Sequence, residues 1–397
     1  MAIKMQLIKF NRMNLEIIIN RLKKIVKGKF FFEIPKNHQV VIYGDFNLSF
    51  IKQLFDTNDL FVLNSTKINI FVLIKTIFSG NNSTSNYFIK YVNYINPKIL
   101  ITSIDNDIYY WSFKKKIHSS IKVILLQYAW HGELADIFGL LKRNEPKEKF
   151  QIDYIFLFNE NIKLKYLHYI DAKAYVVGCF KNNMVTRAPE SNYLDRSITF
   201  ISQYRPKQKF HPVFFYEGEH AYLRDDFYKS ERKLLPILSK YCTANNLRLF
   251  VAGRENTKDE YDFMEEYIGN SNWDYLPRLN EIDSYNTILR SNVIVGIDST
   301  LLYEAFGRYK RTAFFNERSA SLKNDSYHFG WPGNFEVTGP IWTENITVNE
   351  VFRVLDFVTK CTDENWNSVY NSLSNQIMRF DENNEVLKRC INNILSE

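Results

Sequence analysis

Apolar and polar positions along this chain follow two alternating periods. From residue 40 to about 190, short continuous apolar runs recur with helical stretches between them. "QVVIYGD" (Gln39–Asp45), "LFVLN" (Leu60–Asn64), "KILITSID" (Lys98–Asp105), "KVILLQYAW" (Lys122–Trp130), "DYIFLFNE" (Asp153–Glu160) and "AYVVGCF" (Ala174–Phe180) read as buried strands. "SNYFIKYVNYINP" has helical spacing and stops at Pro97. Apolar runs without polar alternation belong to parallel strands covered on both faces.

A second series starts near residue 197. "SITFISQY" (Ser197–Tyr204) and "RLFVAGRE" (Arg248–Glu255) flank a helical segment. "WDYLPR" (Trp273–Arg278), "NVIVGI" (Asn292–Ile297) and "RTAFFN" (Arg311–Asn316) follow, with helical stretches between them. The pattern predicts an α/β protein of two Rossmann-like doubly wound domains facing a cleft, joined around Lys181–Ser197. The expected divisions are 1–190 for the first domain, 191–345 for the second, and 346–397 for closing helices. In such sheets ligands bind outside the carboxyl ends of the strands.

Composition narrows the classes. A chain of 397 residues that is 45% hydrophobic has ample material for packed cores, and 14 Gly with 10 Pro rule out collagen-like or low-complexity character. The formal charge of +7 suits anionic ligands. Without an Arg-rich arm, zinc-finger spacing or RNP-like box, it does not point to nucleic acid. Four scattered cysteines without CxxC read as reduced thiols. With no secretory segment and no apolar run of ~18 residues, a cytoplasmic location is expected. Leu15, Ile18, Ile19, Leu22 and Val26 at helical spacing among lysines suit either peripheral contact with the inner membrane or packing on the domain itself.

The strand ends carry the candidate chemistry. In "GIDSTLLYEAFG", Ser299 and Thr300 open a helix whose amides and dipole favour an anion, and Glu304 lies one turn on, placed to accept ribose hydroxyls. The plain alternative is a Ser cap and a solvated glutamate. "LLQYAWHGELADIFG" ends a strand with His131 and Glu133 in a tight bend, candidates for general acid–base work, with Glu133 a candidate nucleophile. "FFYEGEHAYLRDDFY" crowds charges into what looks like a connection; Asp225 or Asp226 is either a nucleophilic carboxylate or a helix cap. Gln203, Arg205 and Arg254 follow two strands and suit a ligand's anionic groups. No GxGxxG follows the first strand and no GxxxxGK[ST] occurs, which excludes a dinucleotide oxidoreductase and a P-loop kinase.

Strand–DST-x-x-x-EA-x-G–strand, followed by "FGWPGNFEVTGPIWT" (Phe329–Thr343), resembles the nucleotide-binding turn of GT-B glycosyltransferases of bacterial surface polysaccharides. Within that group it is similar to the retaining β-Kdo transferases. "QYAWHG" resembles the QxxWHG-like segment of polyglycerol-phosphate and capsule transferases, from whose WHGTP pattern Glu133 departs. The resemblance implies metal-independent transfer of Kdo or a related nonulosonic acid from a CMP donor (CMP-β-Kdo or similar) to a lipid-linked or oligosaccharide acceptor. It implies no bound cofactor. It leaves open a CDP-glycerol-type transferase, a UDP-sugar transferase or epimerase, and a non-catalytic assembly partner.

Overall fold

The computed structural model describes residues 29–80, 83–185, 194–206, 212–217 and 219–397. The Leu15–Val26 stretch, residues 186–193 of the expected linker, and Lys207 lie outside the described residues. By packing, the chain divides into two compact units. The first takes Met1–Leu126, Gln151–Tyr154 and Lys388–Glu397; the second takes Gln127–Phe150 and Ile155–Leu387. This division does not fall at residue 190. Residues that follow the Lys122–Leu126 strand cluster with the second series, for reasons given with the site below.

In the first unit, β1 (Lys29–Phe31), β2 (Val40–Tyr43), β3 (Leu60–Leu63), β4 (Lys67–Asn69), β5 (Ile99–Thr102) and β6 (Lys122–Leu126) are the main strands. β2 pairs in parallel with β3 and β5, and β5 with β6, giving the order β3-β2-β5-β6. Val40, Val41, Ile42, Ile99, Leu100 and Ile101 are wholly buried, as apolar runs covered on both faces require. The helix Thr84–Ile95 is capped by the Ser83 hydroxyl and ends at left-handed Asn96, one residue before Pro97. β1 and β4 form a short parallel pair that no periodicity announced, since three residues define no period.

The second unit holds the end of β7 (Phe150–Leu157), β8 (Ile170–Val176) and a six-stranded sheet. The sheet is built from β9 (Leu194–Ile201), β12 (Arg248–Ala252), β13 (Trp273–Leu276), β14 (Ser291–Gly296), β15 (Arg311–Phe315) and β16 (Trp342–Thr343). The order is β13-β12-β9-β14-β15-β16, and the pairings are parallel. The strand sequence runs outward one way from β9, then reverses at β14. That reversal is the switch point at which doubly wound sheets open a crevice for ligands. Helix Lys229–Ala244 packs on β12, while Thr300–Gly307 and Val348–Lys360 pack on β15.

One segment departs from expectation. The charged "FFYEGEHAYL" forms an antiparallel hairpin, β10 (Val213–Glu217) with β11 (His220–Leu223), through aromatic residues that suit a pleated surface. No helix among the described residues is long and apolar enough to cross a membrane.

Candidate functional site at the switch point of the second sheet

Gly296 ends β14, and the helix Thr300–Gly307 starts after Asp298 and Ser299. Ser299 occupies the cap position with extended backbone, yet its side chain makes no capping bond. The amides of Leu302 and Tyr303 are taken by the Ser299 carbonyl at 2.9 and 3.3 Å. Those at the very tip have no acceptor within the helix. Across the switch point, Gln203, two residues past the end of β9, accepts from the Asp298 amide at 3.3 Å through its side-chain oxygen. The same oxygen accepts from Arg318 Nη1 at 3.2 Å.

The bend after β6 arrives at the same place. The Trp130 amide donates to Thr300 Oγ1 at 3.2 Å. Its indole stacks on Tyr303 with centroids 4.1 Å apart and planes 16° from parallel. These two contacts tie residues near 130 to the β14 helix, and explain why the bend clusters with the second unit. His131, buried, holds Asp136 through Nδ1 at 3.0 Å. Burial alone would push the Asp136 carboxyl up. Hydrogen bonds from His131 and from the amides of Gly132 and Ile137 outweigh that and hold it below its ordinary value. An ionised Asp136 fixes the proton on Nδ1, so proton exchange by this ring runs through Nε2. The bend keeps its shape because Gly139 lies against it: a Cβ there would sit 1.8 Å from the Glu133 carbonyl oxygen.

The loop after β15 closes the cluster. The Gly330 amide donates to the Tyr303 hydroxyl at 3.4 Å, and Glu344 anchors the loop by accepting from His328 Nδ1 at 2.6 Å and the Phe329 amide at 2.7 Å. Tyr327 belongs to this loop, and its carbonyl accepts from Asn316 Nδ2 at 2.7 Å. Burial and the nearby Asp298 carboxylate push its phenol far up, with Arg318, Asp136 and Arg205 also within electrostatic reach.

A family model described as "putative O-antigen biosynthesis protein" matches residues 124–395. The chain belongs to this family. The matched region contains the His131 bend, the switch point and the loop after β15. Among solved structures, the chain is similar to one described as a "putative UDP-N-acetylglucosamine 2-epimerase" from Listeria monocytogenes: 11% identity, 90% of this chain and 96% of that one covered, TM-score 0.52. It is also similar to the S. aureus MnaA–UDP co-structure, at 12% identity with 90% and 95% covered and a TM-score of 0.50. At such identities the likeness speaks for the fold alone, an α/β fold of the GT-B kind. Curated protein sequences give no match.

In this O-antigen family member the expected site residues separate into distinct groups. Ser299, Thr300, Gln203 and His131 come together as described. Arg254 donates to the Gln203 carbonyl at 3.4 Å; burial and the adjacent Arg205 hold its guanidinium below the ordinary value. Arg205 is exposed and lies over the Phe214 ring at 5.3 Å. Asp225 and Asp226 are exposed in the short helix Arg224–Phe227; Asp225 pairs with Arg232, and no described bond joins either aspartate to the His131 cluster.

One expectation needs correction. Glu304 does not present a carboxylate to a ribose. It is buried beside Tyr285 and Cys179, and burial pushes its carboxyl up. The helix side one turn past Thr300 is covered by Tyr285 of the helix Glu281–Arg290 and by Cys179. Glu133, in the bend, is engaged by two lysines. Burial would raise its carboxyl, but Lys165 and Lys142, each 2.9 Å away, hold it below the ordinary value and keep it ionised.

What sequence reasoning missed is Arg318. Fully buried, it spans the β14 and β15 ends, donating to Asp298 at 2.5 Å, to Glu231, and to the Phe227 carbonyl at 3.1 Å, with its guanidinium 3.9 Å above the Phe227 ring. Glu231 lies 87 residues away in sequence, so no local spacing could have paired them. The one available signal was a lone Arg directly after a strand end in "FFNERSA".

Proposed function

We propose that this chain is a GT-B glycosyltransferase of surface-glycan assembly, moving an acidic sugar, Kdo or a related nonulosonic acid, from its CMP ester to a growing O-antigen or capsule chain. Family membership supports the pathway. The observation that carries the reading is the Trp130 amide on Thr300 Oγ1 at 3.2 Å, which brings a histidine–aspartate pair to the helix start at the switch point. The nucleotide's phosphate sits at the Ser299–Thr300 tip, stabilised by backbone dipoles. Arg254 and Arg205, after β12 and β9, meet the donor's remaining negative charge. His131, oriented by Asp136, accepts the proton of the attacking acceptor hydroxyl or steadies the departing phosphate. Asp226, exposed, is the carboxylate we assign to nucleophilic attack if configuration is retained. The CMP–acidic-sugar preference rests on the resemblance of the turn and the loop after it.

A second reading, a UDP-sugar transferase or epimerase, has one observation in its favour: the UDP named in the S. aureus co-structure of the same fold. Calorimetric titration of CMP, CDP, UDP and GDP into the chain separates the two. We expect CMP to bind tightest, and Ser299→Ala with Thr300→Val to weaken it roughly tenfold, as loss of charge-assisted hydrogen bonds would. UDP binding in preference to CMP selects the second reading. If no nucleotide binds, or the double variant binds as well as the parent, the helix tip is not the donor site. Nucleotide binding without release of nucleotide from any donor leaves a non-catalytic assembly partner.

A further inference from the structure

The first unit carries a face that neither the fold nor the donor site uses. Phe32, Ile34, Ile77 and Phe78 are 76%, 67%, 51% and 85% exposed, large apolar side chains left in water. They lie in two segments that the structure joins. β1 pairs with β4, and β4 runs directly into the helix Ile70–Phe78. Asn69 fixes the junction: its side-chain oxygen caps the helix by accepting from the Val72 amide at 3.0 Å, and its Nδ2 donates to the Glu33 carbonyl at 2.7 Å. Along the helix, Val72 and Thr76 are buried, while Ile74, Ile77 and Phe78, spaced by three and four, share an exposed side. Exposed apolar clusters of this kind mark an interaction surface.

Charge says what kind. The segments 29–36 and 67–79 contain Lys29, Lys36, Lys67 and Lys75 against Glu33 alone. Residues 1–28, which lead directly into β1, hold seven Lys and Arg against one acid, Glu16, so +6 of the chain's formal +7 is concentrated there. A basic fringe around unpaired aromatic and aliphatic side chains is complementary to an anionic lipid surface: the rings enter the headgroup boundary and the ammoniums meet phosphate. With no described helix able to cross a bilayer, the contact is with its surface. We infer that the first unit docks on an anionic membrane through Phe32, Ile34, Ile77 and Phe78, with Lys29, Lys36, Lys67 and Lys75 of the same two segments supplying electrostatic attraction. The inference is independent of which nucleotide the second unit binds.

The test is co-sedimentation of the full chain with vesicles. The parent is expected to pellet with 3:1 phosphatidylethanolamine:phosphatidylglycerol vesicles at low salt, to release as salt rises and screening shortens the reach of charge, and to stay in solution with phosphatidylcholine vesicles. The combined variant Phe32→Ser, Ile34→Ser, Ile77→Ser, Phe78→Ser should bind roughly tenfold or more weakly, since each lost apolar group removes part of the inserted area. Its melting temperature and CMP titration should match the parent, so a failure here is separable from a failure at the donor site. A parent that ignores the anionic vesicles overturns the inference. A variant that pellets equally overturns it too. A dimer of the parent in light scattering that the variant abolishes gives the face to a second copy instead.

Discussion

The bends after β6 and after β14 are built from similar materials and use them in opposite ways. Both end a buried strand, both enter a short helix, and both carry carboxylates a few residues apart. In the β6 bend, Asp136 faces His131 and orients it. In the β14 bend, Asp298 turns to Arg318 and Glu304 turns to Tyr285 and Cys179. The acids of the first bend stand beside a group able to exchange protons, whereas those of the second are spent holding the strand ends in place. What remains for a ligand at the second bend is backbone and hydroxyl: the helix tip, Ser299 and Thr300. A carboxylate near a strand end is thus no guide to chemistry until its partner is known.

The sharpest way to break that contrast is at His131. If the first bend is the reacting one, His131→Ala should lower turnover by about 100- to 10,000-fold, the usual worth of a positioned general acid or base. Nucleotide affinity should stay within a few-fold of the parent, because the helix tip is untouched. Steady-state rates with a CMP-activated donor, set beside calorimetry with CMP, check this. Equal losses in both would move His131 into the binding surface.

The next effect in size belongs to the second bend. Arg318→Met leaves the buried Glu231 and the half-buried Asp298 without their cation, and breaking a buried pair in this way costs about 3–5 kcal/mol. Urea unfolding measures it; a loss under 1 kcal/mol would show that Arg318 is no scaffold. Glu231 adds a pH signature. Burial pushes its carboxyl up to about 7 even with Arg318 beside it. Between its ordinary value and about 7, the folded chain keeps a proton that the unfolded chain has released, so this group's contribution is full at low pH and lost as pH rises. Glu231→Gln should therefore flatten the fall in stability between pH 5 and pH 8; an unchanged slope would assign that fall to other groups.

This contrast also marks how far the sequence could be read. The strands of both sheets were legible because continuous apolar runs such as "VVI" and "VIV" have only one comfortable place, a parallel sheet covered on both sides. The helix tip at Ser299 and the His131 bend were legible because each is a local spacing. Glu304 was misjudged because a helix position covered by a neighbouring helix looks the same in sequence as one facing solvent until the packing is known. Arg318 was invisible because its partners come from Asp298, Glu231 and Phe227, brought together only by sheet order. The hairpin at Val213–Leu223 was hidden by its charges, although its aromatic residues favour a strand.

The smallest expected effect tests the same contrast from within the first bend, where Glu133 sits two residues from His131 and yet behaves like an acid of the second bend. Lys142 and Lys165 hold it, and Lys165 in turn lies 5.1 Å over Trp331 and 5.7 Å over Phe138. The pairs are partly exposed, so Glu133→Gln should cost only about 0.2–1 kcal/mol in urea unfolding. Its carboxyl is held below its ordinary 4.5, so what it contributes is present above that pH and is lost as pH falls. A carboxyl held low by two lysines is expected to anchor the bend and to take no part in proton transfer. The pH–rate profile of Glu133→Gln should keep the parent's shape, with turnover lowered only as far as the Lys165 tether loosens the bend. A proton donor replaced by an amide would instead lose about two decades of rate and one limb of the profile. That outcome would return Glu133 to the chemistry and erase the distinction between an acid that orients His131 and one that anchors lysines beside it.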